Sequence, residues 1–202
     1  MAIEKTLLII KHDGVARGLM GSVISRIERV GLKLIAMEFI QSSEEMGNNH
    51  YPNTEKWLRK VGERTLTEYV EKGIDPDMLL GTHDAIEIGK LVKQWLIDYI
   101  GVGPVLAMVW QGPNAVKVVR KLVGDTIPAQ ALAGTIRGDY GIDDPEMANE
   151  HKRPIYNIVH ASGEVAEATE EIALWFANKE VFNYQVFASR YTGEGGLMHK
   201  MH

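Results

Sequence analysis

The chain has 202 residues and is 45% hydrophobic, which is enough to bury one substantial core. Its formal net charge of -5 at pH 7 argues against general nucleic-acid binding through a basic surface. The absence of cysteine excludes disulfides, thiolate metal sites and a cysteine nucleophile, and it fits a reducing cytoplasm. Because the N-terminus does not resemble a signal peptide and no apolar run could span a membrane, we expect a cytoplasmic protein without a membrane partner.

The first fifth of the chain alternates predicted strands and helices. Residues 6–10 form a continuous apolar run, which is typical of a central strand buried on both faces. Residues 13–18 are expected to form a turn. Apolar residues then recur at helical spacing over residues 23–30, with Gly31 as the expected C-cap. Residues 32–40 predict a second strand.

The middle of the chain is predicted to be mainly helical. Helical sequence begins at Glu44, and residues 57–70 show a helical pattern that Gly62 weakens. A loop is expected at residues 73–81, followed by a helix over residues 86–100. Helical material therefore separates the second predicted strand from the third.

The last part of the chain supplies two more strands and two more helices. In order, it predicts a strand over 105–110, a helix over 115–123 that ends at Gly124, an irregular loop over 126–138, a short strand over 157–160 and a helix over 164–176. The whole order is a βαββαβ skeleton with additions. It indicates an α+β sandwich of ferredoxin-like type, with an antiparallel sheet covered by helices.

The segment Asn157-Ile158-Val159-His160-Ala161-Ser162 is the most informative stretch for function. It places a histidine just past a short apolar strand, with a hydroxyl two residues on and an acidic helix directly after. Imidazole is a good nucleophile that is mostly neutral at pH 7, so His160 is a candidate catalytic residue. On these residues alone, a partly buried histidine at a strand end is the competing interpretation.

Several segments of the chain together resemble the signatures of nucleoside diphosphate kinases, in that family's order. They are residues 11–19, His50-Tyr51, residues 103–105 with 108–110, residues 134–139, and residues 157–162 followed by 171–176. The resemblance covers residues 5–51 and 101 to about 184. It implies an enzyme that moves the γ-phosphate of a nucleoside triphosphate to a nucleoside diphosphate, by ping-pong kinetics and with little preference among bases.

The resemblance also implies five catalytic residues: His160, Glu171 and Ser162, with Lys11 and Tyr51 near the phosphates. His160 would carry the phosphoryl group, Glu171 would fix the tautomer of its ring, and Ser162 would bridge the two. From the local pattern alone, the favoured interpretation of Glu171 is a solvated helix face, because three other glutamates surround it in sequence.

The same resemblance implies a set of nucleotide-binding residues. By position they are Lys11, Arg120, Thr126 and Arg137 at the phosphates, Tyr51 near the phosphates and the histidine, Asn157 at the ribose, and Trp57 against the base. Arginine can grip phosphate bidentately and lysine acts as a point charge. Singly, each residue has a simpler interpretation as a surface charge or a packing residue, and Leu58 is the alternative for the base contact.

Mg²⁺ is the implied cofactor, held by the β- and γ-phosphates of the nucleotide without a dedicated protein metal site. His199 and His202 near the C-terminus are the alternative metal ligands, which we do not favour. The implied partners are therefore nucleoside di- and triphosphates. The family forms oligomers, so a homo-oligomer is also expected.

The chain departs from the family pattern in three residues and two insertions. His12 stands where proline is usual, Ala161 where glycine is usual, and Gly163 where aspartate is usual. We expect one domain over 1–202 with insertions at about 65–100 and 141–154. The first falls in the helical hairpin that covers the base; the second is a solvated loop or, alternatively, a lid or an oligomer contact.

Two other functions compete with the kinase. A non-catalytic nucleotide-binding or scaffold protein could share the fold, although such a protein would be expected to lose His160, Lys11 or Arg137. A protein-histidine phosphotransfer partner would receive phosphate on His160 from another protein, and would need an exposed docking face.

Overall fold

The computed structural model describes residues 3–71 and 73–186. Within them the chain forms two compact units. The first contains the described residues up to Ile40, Pro104–Ile142 and the described residues from Asn157; the second contains Gln41–Gly103 and Asp143–Tyr156. Nearly all of both predicted insertions therefore belongs to the second unit. His199 and His202 lie outside the described residues.

The described elements follow the predicted order of strands, with more helices than expected. In chain order they are β1 (Ile3–Ile10), α1 (His12–Ala16), α2 (Met20–Glu28), β2 (Lys33–Ile40), α3 (Glu44–His50), α4 (Glu55–Glu71), α5 (Pro76–Leu80), α6 (Ala85–Gly101), β3 (Val105–Pro113), α7 (Ala115–Val123), a 3-10 turn (Pro128–Gln130), α8 (Ile136–Tyr140), α9 (Pro145–Glu150), β4 (Val159–Ala161) and α10 (Val165–Trp175).

The first unit is built on one sheet of four strands in the order β2-β3-β1-β4. Every neighbouring pair is antiparallel. With its helices, this is the ferredoxin-like α+β arrangement that the strand order predicted. The central position of β1 explains its sequence, because a strand with neighbours on both edges and helices on both faces has no solvated side.

The two faces of the sheet carry different residues. Leu8, Ile10 and Trp110 point into a core that they share with α2 and α7. Side chains alternate along a strand, so Ile9 and its cross-strand partner His160 lie on the opposite face. That face is covered by α10, which contacts β1. His160 therefore lies between the sheet and a helix, away from the main core.

Four segments that were predicted as turns or loops contain short helices. The predicted turn at 13–18 is largely α1, the loop at 73–81 contains α5, the loop at 126–138 runs into α8, and the insertion at 141–154 contains α9. Three of these helices begin at a capping side chain: the Asp75, Thr135 and Asp144 side chains accept hydrogen bonds from the backbone N–H of Asp77, Gly138 and Met147. A short capped helix has too few apolar repeats to show a period, which is why the pattern missed them.

In the second unit, α4 and α6 pack with their backbones in close contact. A Cβ atom on Gly62 would lie 1.7 Å from the Ala85 carbonyl oxygen, and one on Gly89 would lie 2.1 Å from the Leu58 carbonyl oxygen. Gly62, which weakened the helix prediction for α4, is therefore required by the helix pair. Only glycine allows such an approach.

The two ends of the segment Asp143–Tyr156 are joined by hydrogen bonds to one carboxylate, that of Asp143. Asp143 accepts two hydrogen bonds from the Arg153 guanidinium, at 2.6 and 3.1 Å, and one from the Tyr156 backbone N–H at 2.6 Å. The Tyr156 ring stacks on Tyr99 of α6 at 4.9 Å. The segment thus contains a helix, α9, and packs within the second unit, where one of the expected alternatives was a solvated loop. In the part of the chain that the structure describes, no helix is long and apolar enough to cross a membrane.

Candidate active site

A chain of three hydrogen-bonded side chains lies between β4 and α10. The ring Nε2 of His160 is 2.6 Å from Glu171 Oε1, and Ser162 Oγ donates to Glu171 Oε2 at 2.6 Å. Ser162 Oγ also accepts a hydrogen bond from the Leu7 backbone N–H at 3.2 Å. Ser162 was expected to bridge His160 and Glu171; it instead holds the far oxygen of Glu171 and ties it to β1.

Glu171 is buried although it belongs to an acidic helix. Its exposed fraction is 6%, whereas Glu164, Glu167 and Glu170 of the same region are exposed. A buried carboxylate needs hydrogen-bond donors, and His160 and Ser162 supply them. The interpretation of Glu171 as a solvated residue is therefore wrong.

The His160 ring is neutral near pH 7. Its pKa is lowered to about 3, first because burial disfavours the charged ring and then because Lys11, Arg137 and Arg120 repel a further positive charge. A carboxylate only accepts hydrogen bonds, so the proton of the neutral ring lies on Nε2 and points at Glu171. Nδ1 is then the ring nitrogen with the lone pair, which is the atom that can attack an electrophile.

The chain makes a strained turn two residues before His160. The Val159 N–H donates to the Asn157 carbonyl oxygen at 2.7 Å, and Ile158 between them has a φ of 69°. This is a γ-turn in its positive-φ form, the rarer and more strained of the two forms. A β-branched residue at positive φ is an outlier, and such backbone strain costs about 1–3 kcal/mol. Groups around the turn must hold it in place.

Arg137 surrounds that turn with hydrogen bonds to backbone carbonyl oxygens. Its guanidinium donates to Asn157 at 3.1 Å, to Val159 at 2.7 Å, to Gly124 at 3.2 Å and to Asp125 at 3.1 Å. The side chain is 3% exposed. The structure thus brings Arg137 next to the candidate nucleophile, with its donors directed at the backbone on both sides of Ile158.

The motif over residues 134–139 explains how Arg137 arrives there. Thr135 caps α8 by accepting from the Gly138 N–H at 3.1 Å, so that Arg137 lies in the first turn of the helix. Asp139 stabilises the same motif, because its carboxylate accepts one hydrogen bond from the Gly134 N–H at 2.7 Å and another from the Arg26 guanidinium. The short helix α8 therefore places the buried side chain of Arg137 against β4.

Lys11 lies at the end of β1 and is 5% exposed. Its ammonium group donates to Asn157 Oδ1 at 2.8 Å, and Asn157 Nδ2 donates to the Thr126 carbonyl oxygen at 3.0 Å. The pKa of Lys11 is lowered to about 7, mainly by burial and next by repulsion from Arg137, while the Asp13 carboxylate raises it. Lys11 is therefore a cation whose charge a bound anion would stabilise.

The remaining predicted nucleotide-binding residues are placed less centrally. Arg120 on α7 is exposed and its guanidinium is 3.5 Å from the Ala161 carbonyl oxygen; Thr126 is also exposed. Tyr51 and Trp57 belong to the second unit, where Tyr51 is buried at the end of α3 and Trp57 is partly exposed on α4. In the first unit, the structure brings together Lys11 and Arg137 with the three catalytic candidates.

The three departures from the family pattern are accommodated locally. The Gly163 N–H donates to Glu167, so a carboxylate from the first turn of α10 satisfies this backbone donor. Ala161 is 3% exposed and its side chain packs in the core on the opposite face from His160. His12 begins α1, and its Nδ1 is buried without a hydrogen-bond partner among the described residues.

Sequence reasoning missed Asp13 as a site residue. Its Oδ2 accepts the Ile158 backbone N–H at 3.0 Å, a contact across most of the length of the chain. The only signal was its position two residues after Lys11 in the first motif, which gave no indication of its partner.

Within the first unit, the arrangement is an oriented, neutral imidazole with cationic side chains beside it. Such a site can attack an electrophilic centre through nitrogen while cations hold the oxygens of an anionic substrate. It defines a class of enzymes that transfer a charged group through a histidine nucleophile.

The comparison with known proteins names the family. The family model described as "Nucleoside diphosphate kinase" matches residues 4–93 and 83–181. A nucleoside diphosphate kinase from Pyrobaculum aerophilum is 49% identical over 181 residues, which cover 90% of this chain and 99% of that protein. The chain belongs to the nucleoside diphosphate kinase family.

Solved structures agree with this assignment. The crystal structure of an NDP kinase from Pyrobaculum aerophilum has a TM-score of 0.88 and 47% identity, over 90% of this chain and 100% of that one. A transition state mimic of nucleoside-diphosphate kinase from Borrelia burgdorferi, with bound vanadate and ADP, has a TM-score of 0.76 and 34% identity, over 96% and 98% of the two chains. Both similarities extend over nearly the whole chain.

Proposed function

We propose that this chain transfers the γ-phosphoryl group of a nucleoside triphosphate to a nucleoside diphosphate through phosphorylated His160. The activity is that of its family, and the Borrelia relative binds ADP and vanadate, a phosphate mimic. The observation that carries the choice of His160 is its 2.6 Å hydrogen bond to buried Glu171, which leaves the lone pair of the neutral ring on Nδ1.

The proposed reaction has two steps that use one site in turn. In the first, the Nδ1 lone pair of His160 bonds to the γ-phosphorus, the bond to the β–γ bridging oxygen breaks, and the nucleoside diphosphate leaves with that electron pair. In the second, a β-phosphate oxygen of another diphosphate attacks the phosphorus, and the N–P bond returns its electrons to the ring. Glu171 offsets the positive charge that the ring carries while phosphorylated.

The phosphate oxygens are proposed to contact Lys11, Arg120, Thr126 and Arg137. Lys11 has the strongest support, because its buried ammonium lies at the end of β1, one strand away from His160. Arg137 is proposed at the phosphates because its buried guanidinium lies against β4, beside His160. Asn157 is proposed to contact the ribose.

The proposed contacts of the second unit rest on the motif and on local exposure. Tyr51 is assigned a hydrogen bond near the phosphates. Trp57 is preferred over Leu58 for the base, because Trp57 is partly exposed whereas Leu58 is 4% exposed and its backbone lies against Gly89. A single apolar contact of this kind does not read the base edge, which agrees with broad base specificity.

Mg²⁺ is the proposed cofactor. Both oxygens of Glu171, the carboxylate that contacts His160, already accept hydrogen bonds, one from His160 and one from Ser162. This donor set fits an ion that the nucleotide's own β- and γ-phosphate oxygens hold, without a protein carboxylate cage. When bound, Mg²⁺ would offset negative charge on the leaving diphosphate.

Steady-state exchange between ATP and GDP tests the proposed function. We expect double-reciprocal plots that are parallel, as a ping-pong mechanism requires, and loss of exchange in His160→Gln. His151→Gln, which changes an exposed histidine, is the matched control and should keep full activity. Nucleotide binding without exchange in the parent chain would favour the scaffold alternative, and substantial exchange in His160→Gln would contradict the proposed nucleophile.

We also propose that the chain is one catalytic domain with insertions at about 65–100 and 141–154, and that it forms a cytoplasmic homo-oligomer. The support for self-association is the edge strand β2, where Met37 and Phe39 are 52% and 56% exposed. A second copy that packs on these two side chains would remove them from solvent. Sedimentation that shows only monomer would contradict the oligomer.

A further inference from the structure

Lys11 and the first turn of α1 hold Ile158 at both of its backbone polar groups. The Lys11 N–H donates to the Ile158 carbonyl oxygen at 2.8 Å, and Asp13 Oδ2 accepts from the Ile158 N–H at 3.0 Å. Gly14 of α1 packs against Ile158: an added Cβ would lie 3.0 Å from Ile158 Cγ2 and 3.1 Å from its carbonyl oxygen. The segment 11–14 therefore holds Ile158 in place through two hydrogen bonds and through close packing.

Ile158 needs this support because isoleucine disfavours the positive φ that the γ-turn requires. Isoleucine favours negative φ, and relaxation to negative φ would change the direction of the chain before His160. The side chain is fully buried, so it cannot rotate out to solvent. Without Asp13, the Ile158 N–H would also lose its acceptor.

The strand that follows is too short to fix His160 by itself. β4 has three residues, Val159–Ala161, and pairs with β1 only at Leu8, Ile9 and Ile10. The direction in which the chain enters β4 is set one residue earlier, at Ile158. A change there moves the imidazole relative to the groups that surround it.

We infer that Asp13 is a positioning residue for His160: its carboxylate holds the γ-turn at Ile158 and so places the ring nitrogen for attack on phosphorus. The inference rests on the proposed function of His160. Asp13 acts through the backbone; the nucleophile remains the His160 ring.

Three variants separate this role from the charge of Asp13, which also acts on Lys11. Asp13→Asn keeps an acceptor at the Ile158 N–H and removes the charge. Asp13→Glu keeps the charge and displaces the acceptor by one methylene group. Asp13→Ala removes both. If only the charge matters, Asn and Ala should behave alike; if the hydrogen bond matters, Asn should resemble the parent chain.

The test is the rate constant of His160 phosphorylation in a rapid-quench experiment with the full chain, saturating γ-labelled ATP and Mg²⁺. We expect Asp13→Ala and Asp13→Glu to slow this step about 10- to 100-fold, because a displacement of 1 Å can cost about 100-fold in rate. Asp13→Asn should recover most of the parental rate. Titration with ADP should give nearly unchanged affinity in Asp13→Glu. Loss of the carboxylate lowers the pKa of Lys11, so the pH dependence of ADP affinity should shift alike in Asp13→Asn and Asp13→Ala.

Two outcomes would overturn the inference. One is a parental phosphorylation rate in Asp13→Ala; the other is an Asp13→Asn rate as low as that of Asp13→Ala, which would assign the effect to charge. If Asp13→Ala does not fold, the comparison of Asp13→Glu with Asp13→Asn decides, and an equal or faster rate for Glu overturns it. Absence of label on the parent chain would instead be a failure of the proposed function.

Discussion

Replacement of Glu171 by glutamine tests the hydrogen bond that orients His160. Glutamine has the same shape and keeps an oxygen that can accept from Nε2, but it has no charge. The proposed mechanism places positive charge on the His160 ring as the N–P bond forms. The variant should therefore bind nucleotide normally and phosphorylate His160 slowly.

The magnitude follows from the geometry of the pair. The contact is 2.6 Å, and the two side chains are 18% and 7% exposed for His160 and Glu171, so solvent screens it little. A hydrogen bond to a charged group contributes about 1.5–3 kcal/mol. Because each 1.36 kcal/mol changes a rate tenfold, we expect phosphorylation to slow about 10- to 150-fold in Glu171→Gln.

The assay is rapid-quench labelling of the protein with γ-labelled ATP in the absence of an acceptor. Glu170→Gln is the matched control, because it makes the same change on the same helix at an exposed position. Equal labelling rates in the two variants would refute the role of the buried carboxylate.

Three further predictions concern other parts of the first and second units. Because the pKa of Lys11 is about 7, its ammonium group loses its charge as pH rises through 7, and kcat/KM for nucleotide exchange should fall over pH 7–9. Arginine stays charged in this range, so Lys11→Arg should flatten the pH profile. In thermal unfolding, Gly62→Ala should lower Tm sharply, because the added methyl group would clash with the Ala85 carbonyl oxygen. Gly21→Ala, whose methyl group would lie in open space on α2, should instead stabilise the folded protein by about 0.5–1 kcal/mol. Arg137→Lys should lower both Tm and the phosphorylation rate, because one ammonium cannot replace four hydrogen bonds to carbonyls; unchanged values in both measurements would contradict its role at the turn.

The regular elements of the fold were predictable where packing and local preference agree. The apolar run of β1 follows from its central place in the sheet, and α7 ends where expected because Gly124 has a φ of 85°. The helix α4 was harder to predict, since Gly62 lowers helix propensity. Gly62 is nevertheless needed there, because α4 makes a close backbone contact with α6, and such a tertiary contact cannot be inferred from the local sequence.

The candidate site was predictable as a set of residues but not as a set of contacts. The association of His160 with a short strand was evident from the sequence, although the residue lies within β4 and not past its end. The burial of Glu171 depends on Ser162 and His160, which come from another element. The γ-turn at Ile158 opposes the preference of that residue, so only distant groups such as Asp13 and Arg137 can impose it.

The central claim is that His160 carries the phosphoryl group between two nucleotides. The most direct measurement is a pulse of γ-labelled ATP with Mg²⁺ and no acceptor, followed by a chase with unlabelled GDP. The account predicts acid-labile, base-stable label on His160 that moves to GTP during the chase. Label that does not move to GTP, or a protein that binds nucleotide and acquires no label, would contradict it.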